Sequence, residues 1–527
     1  MQNIATVIIL LAVVTALAQL TDLIKVPYPI LLVLTGIGIG LMPGLPPVNL
    51  HPDVVFLVFL PPILYQAAWT TSWPDFKAAK RPITLLAIGC VIFTTCAVAW
   101  VANMFIPGLG WAEAFVLGAI ISPPDAVAAA AATKGLSIPK RVTTILEGES
   151  LVNDATGLIA YRFALAAVIT GTFSLWEASY KFVIVAVGGI VLGLAMGYLF
   201  KWIHKITPDN PTTDTVLTFI TPYIIYLFAE SIHVSGVLAL VSCGLYLSWN
   251  SSEIFNQPTR LQAYATWDTV IFILNGIIFI LIGLQLPVIW EQINNDIPPV
   301  TLIFYGAIVS AAVIIGRIIW VYPGTYIPRL FKSVREKELL PDIRLTTIIA
   351  WAGMRGVVSL AAALAIPLVV EGSRPFPNRN LIIFLTFCVI FSTLVLQGLT
   401  LRPIIRLLGI KGDGKEHEKE QEVRMRIAAS LIEHIEENYS LALSDEVLNQ
   451  IKTKYEIRIQ RLGKDPAEQK LNAEQIAQFH KIQQELLAME RNHLRSIRKE
   501  ASVSDEILRK IEYELDLEET RLILDAV

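Results

Sequence analysis

Two aspartates and one arginine lie in the middle of long apolar stretches of the sequence: Asp125, Asp154 and Arg355. A charge at the centre of a bilayer costs about 2.5–3.5 kcal/mol on insertion scales, so such residues face a bundle interior or a cavity and mark ion or proton pathways. We therefore expect both acids to act on an ion. Arg355 fits a structural ion pair and direct participation equally well.

The residues around Asp154 form a polar face on an otherwise apolar helix. The members of this face are spaced three or four apart: Ser150, Asn153, Asp154 and Gly157. Side chains at this spacing are neighbours on a helix surface. Glu149 is the i+4 neighbour of Asn153, and Glu147, which lies about two turns before Asp154, is assigned a supporting role.

The stretch that contains Asp125 is interrupted. Pro123 and Pro124 remove two backbone donors and clash with the preceding turn, so a regular helix cannot run through them. Free carbonyls at membrane depth are tolerated only where they line a cavity or meet protein. Such carbonyls beside the carboxylate of Asp125 suit a hard monovalent cation. Two prolines alone predict only a kink, but together with the acids they favour an ion site.

A second interruption lies in a later apolar stretch, where Gly353 and Gly356 surround Arg355. The sequence contains thirteen long apolar stretches, and the two interrupted ones are the fifth and the twelfth. Each is therefore the fifth of the six stretches on its side of the seventh. Paired interruptions at corresponding positions point to the binding site of a secondary transporter. Two further arginines, Arg162 and Arg317, stand in other apolar stretches, and we interpret them as snorkelling or structural support.

The composition indicates which elements position these residues. Of the 527 residues, 54% are hydrophobic and 17% are charged, whereas soluble proteins average about 25% charged residues. Charges are sparse in residues 1–411 and dense in residues 412–527. This pattern excludes a single soluble globule, a basic nucleic-acid binder and a disordered chain. It predicts a membrane domain over 1–411 and a soluble helical tail over 412–527.

A bilayer core of about 30 Å needs roughly 20 apolar helical residues. Thirteen stretches approach this length: residues 4–22, 28–43, 53–70, 82–106, 111–133, 142–170, 178–203, 213–231, 234–249, 262–290, 299–327, 343–370 and 380–408. If the seventh is a linker, the six spans on either side enter the membrane from opposite faces, as in an inverted repeat. The prediction is an all-α polytopic membrane protein of about thirteen transmembrane helices in two inverted six-helix repeats.

The basic residues of the predicted loops fix an orientation. With the N-terminus outside, eighteen lysines and arginines fall on the cytoplasmic side and three on the other, as the positive-inside rule requires. The tail is then cytoplasmic and reads as about four helices, with helix starts predicted at Asp465-Pro466 and Ser504. It is interpreted as a module packing on itself or across a dimer, or as a regulator of transport.

Residues 147–154, Glu-Gly-Glu-Ser-Leu-Val-Asn-Asp, resemble the signature of monovalent cation:proton antiporters of the NhaP and animal sodium/proton exchanger kind. Residues 353–359 resemble the same family's later signature around its arginine. Asp125 and the three residues after it resemble the aspartate motif of the family's broken helix. The likeness covers the whole membrane domain in order and spacing and does not extend to the tail.

The resemblance implies thirteen spans, divided into a scaffold and dimerisation domain and a six-helix core in which two broken helices cross near the substrate. It implies that Asp154 binds the cation or protons and that Asn153 orients the site. Ser150 and Asp125 would complete the environment of a bound Na⁺. An asparagine directly before the aspartate is associated in this family with electroneutral one-for-one exchange.

The resemblance further implies an ion pair between Glu149 and Arg355 that holds the core together. The sequence departs from the family where Pro124 replaces the usual threonine before the broken-helix aspartate. The backbone carbonyl of Pro124 or the hydroxyl of Ser122 would then substitute for the threonine. The choice among Li⁺, Na⁺ and K⁺ therefore stays open.

The predicted function is exchange of Na⁺ (or Li⁺) for H⁺ across the cytoplasmic membrane, by competition at a buried carboxylate with alternating access, in support of pH homeostasis. A K⁺/H⁺ antiporter is the alternative. A cation channel or an intramembrane aspartyl protease fits less well, because the sequence has neither a repeated selectivity filter nor a Gly-x-Gly-Asp signature. We expect a homodimer in the lipid bilayer, with no enzymatic activity, no cofactor and no nucleic-acid partner.

Overall fold

The computed structural model is almost entirely helical over the residues that it describes. These are residues 2–24, 26–42, 55–133, 136, 138–207, 210–293, 297–330, 342–370, 374–410, 414–439, 452–453, 473–500, 511 and 514–520. Contacts between residues divide the chain into two compact units, Met1–Gly412 and Asp413–Val527.

The first part of the larger unit runs from the N-terminus to the long helix that carries Asp154. Its helices are α1 (Gln2–Ile24), α2 (Tyr28–Gly40), α3 (Leu60–Thr70), α4 (Trp73–Ala78), α5 (Lys80–Thr84), α6 (Val91–Phe105), α7 (Trp111–Ile121), α8 (Ala126–Thr133) and α9 (Lys140–Thr170). Two π-helical segments extend this set: Val55–Phe59 leads into α3, and Leu85–Cys90 joins α5 to α6.

The second part contains longer helices and one small sheet. Its helices are α10 (Leu175–Ile206), α11 (Pro211–Ser231), α12 (Gly236–Trp249), α13 (Ser251–Ile254), α14 (Gln257–Ile293), α15 (Pro299–Tyr326), α16 (Ile343–Trp351), α17 (Val357–Leu364), α18 (Arg379–Ser392) and α19 (Gly398–Leu407). A 3₁₀ turn (Ile327–Leu330) follows α15, and a π-helical segment (Thr393–Gln397) joins α18 to α19. Strands β1 (Val369–Val370) and β2 (Arg374–Pro375) pair antiparallel.

Helix occurs in each of the thirteen stretches where the sequence predicts a span. In the described chain, six helices are long and apolar enough to cross a bilayer alone. The number becomes seven if α7 and α8, which are bent by 40° at a short break, count as one span. The other apolar helices are shorter, so the number of spans and the inverted repeat remain predictions.

Some of these helices lie in direct backbone contact at glycine residues. A Cβ atom on Gly36 of α2 would lie 2.3 Å from the carbonyl oxygen of Ile280 in α14. A Cβ atom on Gly283 of α14 would lie 2.2 Å from the carbonyl oxygen of Val33. Small residues permit such approach in membranes, where apolar burial gives helices little preference for one another over lipid. This glycine contact fixes α14, which contributes one wall of the site.

Hydrogen bonds join the loops at each end of the bundle. At one end, Lys140 pairs with Asp75 at 2.9 Å, and Ser248 donates to the carbonyl of Thr71 at 3.2 Å. We call this end, which also carries Lys201, the lysine-rich face. At the opposite end, Asn378 donates to the carbonyl of Gly108 at 2.9 Å. The distribution of lysine and arginine in the sequence predicts the same grouping of these loops on two sides. Which side is cytoplasmic remains a prediction.

The smaller unit is helical where it is described. Its long helices are α20 (Gly414–Tyr439) and α21 (Ala473–Glu500). Arg491 of α21 pairs with Asp516 at 2.6 Å and with Glu519. The predicted helix starts at Asp465-Pro466 and at Ser504 lie outside the described residues.

Candidate functional site

The two interrupted helices meet at their breaks. The first break, residues 122–125, separates α7 from α8, and the second, residues 352–356, separates α16 from α17. The backbone N–H of Asp125 donates to the carbonyl oxygen of Met354 at 2.7 Å. This hydrogen bond links two segments that are more than 200 residues apart in the chain. The four half-helices therefore converge at one point within the bundle.

Asp125 caps the starts of two half-helices at this point. Its Oδ1 accepts the N–H of Val127 at 2.8 Å, and the N–H groups of Ala128 and Val357 also reach its carboxylate. Negative charge is favourable at a helix N-terminus, where backbone N–H groups carry partial positive charge. A Cβ atom on Gly356 would lie 1.6 Å from Oδ2 of Asp125, so only glycine leaves room for this carboxylate.

Helix α9 packs against the first break and fixes its shape. The amide of Asn153 donates to the carbonyl of Pro124 at 2.9 Å, which satisfies an acceptor that the break in the helix leaves free. The hydroxyl of Ser150 accepts the N–H of Ala126 at 3.3 Å. A Cβ atom on Gly157 would lie 2.2 Å from the ring of Pro123. The polar face predicted on this helix is thus the surface that holds the break.

A cavity of about 80 Å³ lies beside the crossing point. Three carboxylates line it, from Asp125, Glu147 and Asp154, and the described lining includes no lysine, arginine or histidine. Asp154 is 6% exposed. Among the described residues, its carboxylate has no hydrogen-bond or ion-pair partner. The cavity therefore presents a buried anionic group that is free to bind a cation or a proton.

The remaining walls of the cavity differ in character. Helix α3 contributes an apolar wall that includes Leu60, Leu64 and Ala67. Asn275 of α14 and Ser359 of α17 add an amide and a hydroxyl, and both side chains are buried. The sequence interpretation omits both from the site. In the sequence, each of them is recognisable only as a polar residue inside an apolar stretch. Such a residue also fits ordinary hydrogen bonding between helices.

The structure corrects the predicted partner of Glu149. Both carboxylate oxygens bind the guanidinium of Arg317, with Oε1 at 2.6 Å from Nη1 and Oε2 at 2.8 Å from Nη2. Arg317 also donates to the carbonyl of Ile349. Both charged side chains are 1% exposed. The pair between Glu149 and Arg355 is wrong, because α15 places Arg317 in the bidentate position.

Arg355 is a buried cation within the second break. Its side chain is 0% exposed, and Nη1 donates to the carbonyl of Gly353 at 3.0 Å. Its backbone N–H donates to the hydroxyl of Thr393 at 3.1 Å. Among the described residues, Nε and Nη2 have no hydrogen-bond partner. Arg355 therefore supports the break itself and does not line the cavity.

Three other predicted site residues do not line the cavity. The hydroxyl of Ser122 donates to the carbonyl of Ala119 within its own helix at 3.1 Å, so it does not replace the missing threonine. Asn153 binds the break and is not a lining residue. Arg162 pairs with Glu230 at 2.7 Å on a partly exposed surface. Pro124 and Ser150 line the cavity, and their role as ion ligands stays a prediction.

One helix holds the far ends of both C-terminal half-helices. This span, Arg379–Leu407, carries an arginine near each end. Arg402 donates to the carbonyl of Ala132, near the end of α8, at 3.1 Å. Arg379 donates to the carbonyl of Leu364, the last residue of α17, at 3.1 Å. A cation at a helix C-terminus stabilises the exposed carbonyls there, so this span clamps both half-helices.

Comparison with known proteins adds independent findings. A family model described as "Sodium/hydrogen exchanger, transmembrane" matches residues 8–407. An uncharacterised Na⁺/H⁺ exchanger of Mycobacterium tuberculosis is 32% identical over 99% of this chain and 96% of its own length. A sodium, potassium, lithium and rubidium/H⁺ antiporter of Bacillus pumilus is 34% identical over 76% of this chain and 61% of its own.

A solved structure is similar in fold. The sodium proton antiporter of Methanocaldococcus jannaschii superposes with a TM-score of 0.63 at 19% identity. The match covers 78% of this chain and 99% of that protein. At this level of identity, the likeness concerns the arrangement of the helices.

Proposed function

Because the chain belongs to the sodium/hydrogen exchanger family, whose members are cation/proton antiporters and not enzymes, we propose that it exchanges Na⁺ or Li⁺ for H⁺ across the cytoplasmic membrane. One observation carries this proposal. Asp154 is buried, faces a cavity and has no partner among the described residues. Such a carboxylate is costly in a membrane unless it binds an ion or a proton.

The proposed exchange is competition for that carboxylate. A cation binds ionised Asp154, and a proton neutralises the same oxygens after the cation leaves. The hydroxyl of Ser150 and the carboxylate of Asp125 lie in the same cavity and supply further oxygen ligands. When the cavity opens alternately to the two sides, bound cation moves one way and bound proton the other.

The distribution of buried charge supports electroneutral exchange. Glu149 is neutralised by Arg317, and the carboxylate of Asp125 is held by the N–H groups of two half-helices. Of these three carboxylates, Asp154 alone lacks a compensating group in the described structure. Its neighbour Asn153 is uncharged and bound to the break. Glu147 also lines the cavity without a partner in the described structure, but its side chain is exposed, so Asp154 supplies the one buried charge for one cation exchanged for one proton.

K⁺/H⁺ exchange is the second candidate. The B. pumilus relative is named for sodium, potassium, lithium and rubidium, and Pro124 removes a threonine hydroxyl that the family usually places beside the broken-helix aspartate. A site with fewer fixed oxygen ligands selects less strictly among cations of different radius. We further propose an N-terminus outside, a cytoplasmic tail that regulates transport, a homodimer, and a role in pH homeostasis.

Everted membrane vesicles with a pH-sensitive dye test the proposal. After a pH gradient is formed, NaCl and LiCl are expected to dissipate it in vesicles with the wild-type chain, and KCl measures the second candidate. Asp154→Asn is expected to abolish the response to every cation while the protein remains folded in the membrane. The rate is expected not to change when valinomycin and K⁺ set the membrane potential. Cation-dependent dissipation that survives Asp154→Asn would overturn the assignment.

A further inference from the structure

Glu147 is a carboxylate that the proposed exchange leaves unused. It lies on α9 seven residues before Asp154, which places the two side chains on nearly the same helix face and about 10 Å apart along the axis. Both line the cavity, and Ser150 lines it between them. The three side chains therefore follow one another along the cavity-facing side of α9.

Exposure increases along this row toward the lysine-rich face. Asp154 is buried, Ser150 is partly buried and Glu147 is exposed. Helix α9 begins at Lys140 on that face, where Lys140 is paired with Asp75. Glu147 thus stands at the mouth of the cavity and Asp154 at its inner end.

The carboxylate of Glu147 is available to bind a cation. No hydrogen bond or ion pair joins it to the described residues. The carboxylate closest in sequence, Glu149, is occupied by Arg317. Asp75, outside the membrane spans, is held by a hydrogen bond from Lys140 that lowers the pKa of its carboxyl. Among the described carboxylates near the mouth of the cavity, Glu149 and Asp75 are paired with a cation and Glu147 is not.

We propose that Glu147 is a capture site for the transported cation, from which the ion passes by way of Ser150 to Asp154. The inference rests on the proposed function and adds a second binding position to it. A cavity lined by one sign of charge raises the local concentration of counter-ions. Glu147 then sets how well the cation is captured from one side, while Asp154 carries out the exchange.

The test separates capture from exchange by their kinetic signatures. In everted vesicles, Glu147→Gln is expected to raise the apparent KM for Na⁺ by about tenfold at an unchanged maximal rate. Glu147→Asp, which keeps the charge, is expected to restore a KM within about twofold of wild type. Glu253→Gln is the matched control, because Glu253 pairs with Lys201 at the same face but lies outside the cavity.

Sidedness gives a second readout. If the lysine-rich face is cytoplasmic, the KM effect appears when Na⁺ is added to everted vesicles and is absent in right-side-out vesicles. A wild-type KM in Glu147→Gln overturns the inference, as does a lost maximal rate or an equal effect from both sides. Cation-dependent flux in vesicles with the wild-type chain tests the proposed antiport separately. A failed antiport proposal and a failed capture role for Glu147 therefore give different results.

Discussion

Two regions of helix α9 carry carboxylates in opposite circumstances. On one side, Glu149 is bound through both oxygens to Arg317, and the pair is sealed from solvent. On the other side, Asp154 and Glu147 face the cavity and have no partner in the described structure. All three acids lie within eight residues of sequence. The difference between them is one of direction around the helix.

Helical geometry accounts for that difference. At 3.6 residues per turn, Glu147 and Asp154 are separated by about 20° around the axis, whereas Glu149 is about 140° from Asp154. One face therefore meets α15 and its arginine, and the other meets the crossing of the broken helices. An acid that is paired in the interior is required by its partner, which would otherwise be a buried unpaired charge, while an acid without a partner remains available to an ion. The same residue type has a structural role on one face and a transport role on the other.

The strongest test of this contrast removes the carboxylate on each side in turn. Glu149→Gln leaves Arg317 buried without its partner, and breaking such a pair costs about 3–5 kcal/mol. We expect a marked loss of folded protein and a lower melting temperature in detergent. Asp154→Asn is expected to keep the wild-type melting temperature, because it removes a charge that has no partner.

A double variant sharpens this comparison. Glu149→Leu combined with Arg317→Met replaces the ion pair with apolar side chains, which is often neutral for stability. We expect the melting temperature to return toward that of wild type. Equal destabilisation by Glu149→Gln and Asp154→Asn would show that the two regions do not differ as described.

A smaller effect is expected from crowding the crossing point. In Gly356→Ala, the added Cβ would meet Oδ2 of Asp125 at 1.6 Å, so the two breaks must separate. Such overpacking costs about 1–3 kcal/mol, and we expect the maximal transport rate to fall about tenfold. Gly38→Ala is the matched control, because no atom lies within 4 Å of its added Cβ. Equal rates in the two variants would contradict a tight crossing.

The smallest effect is expected at the hydrogen bond that shapes the first break. Asn153→Ala leaves the carbonyl of Pro124 without its donor, which costs about 1–3 kcal/mol for a buried group. We expect a melting temperature slightly below that of wild type and a several-fold slower exchange rate. Asn153→Gln, which keeps the amide one methylene further out, serves as the comparison. A rate in Asn153→Ala equal to wild type would remove Asn153 from the positioning of the site.

Local features of the site were predictable from sequence. Two prolines at 123 and 124 break a helix wherever they occur, and a three-to-four spacing places Ser150 and Asp154 on one face. These rules depend on neighbours in the chain, so they do not require knowledge of the packing. They placed Ser150 beside Asp154, whereas the expectation that Asp125 joins them came from the family resemblance, and the structure brings all three to the cavity.

Long-range choices were not predictable in the same way. Arg317 and Arg355 are both buried arginines, and only the position of α15 in the bundle decides which one reaches Glu149. Ser122 is the first residue of the break and close in sequence to Asp125, yet its hydroxyl donates back to the carbonyl of Ala119. Asn275 joins the cavity from α14, more than 100 residues away from α9. These outcomes depend on helix positions and rotations that a spacing rule does not contain.

The central claim is that a proton and a cation compete for the carboxylate of Asp154. Its most direct test is proton release from the purified full-length protein in weakly buffered detergent solution when NaCl is added. We predict release of about one proton per chain in wild type and in Glu147→Gln at saturating Na⁺, and none in Asp154→Asn. Proton release from Asp154→Asn equal to that of wild type would contradict the claim.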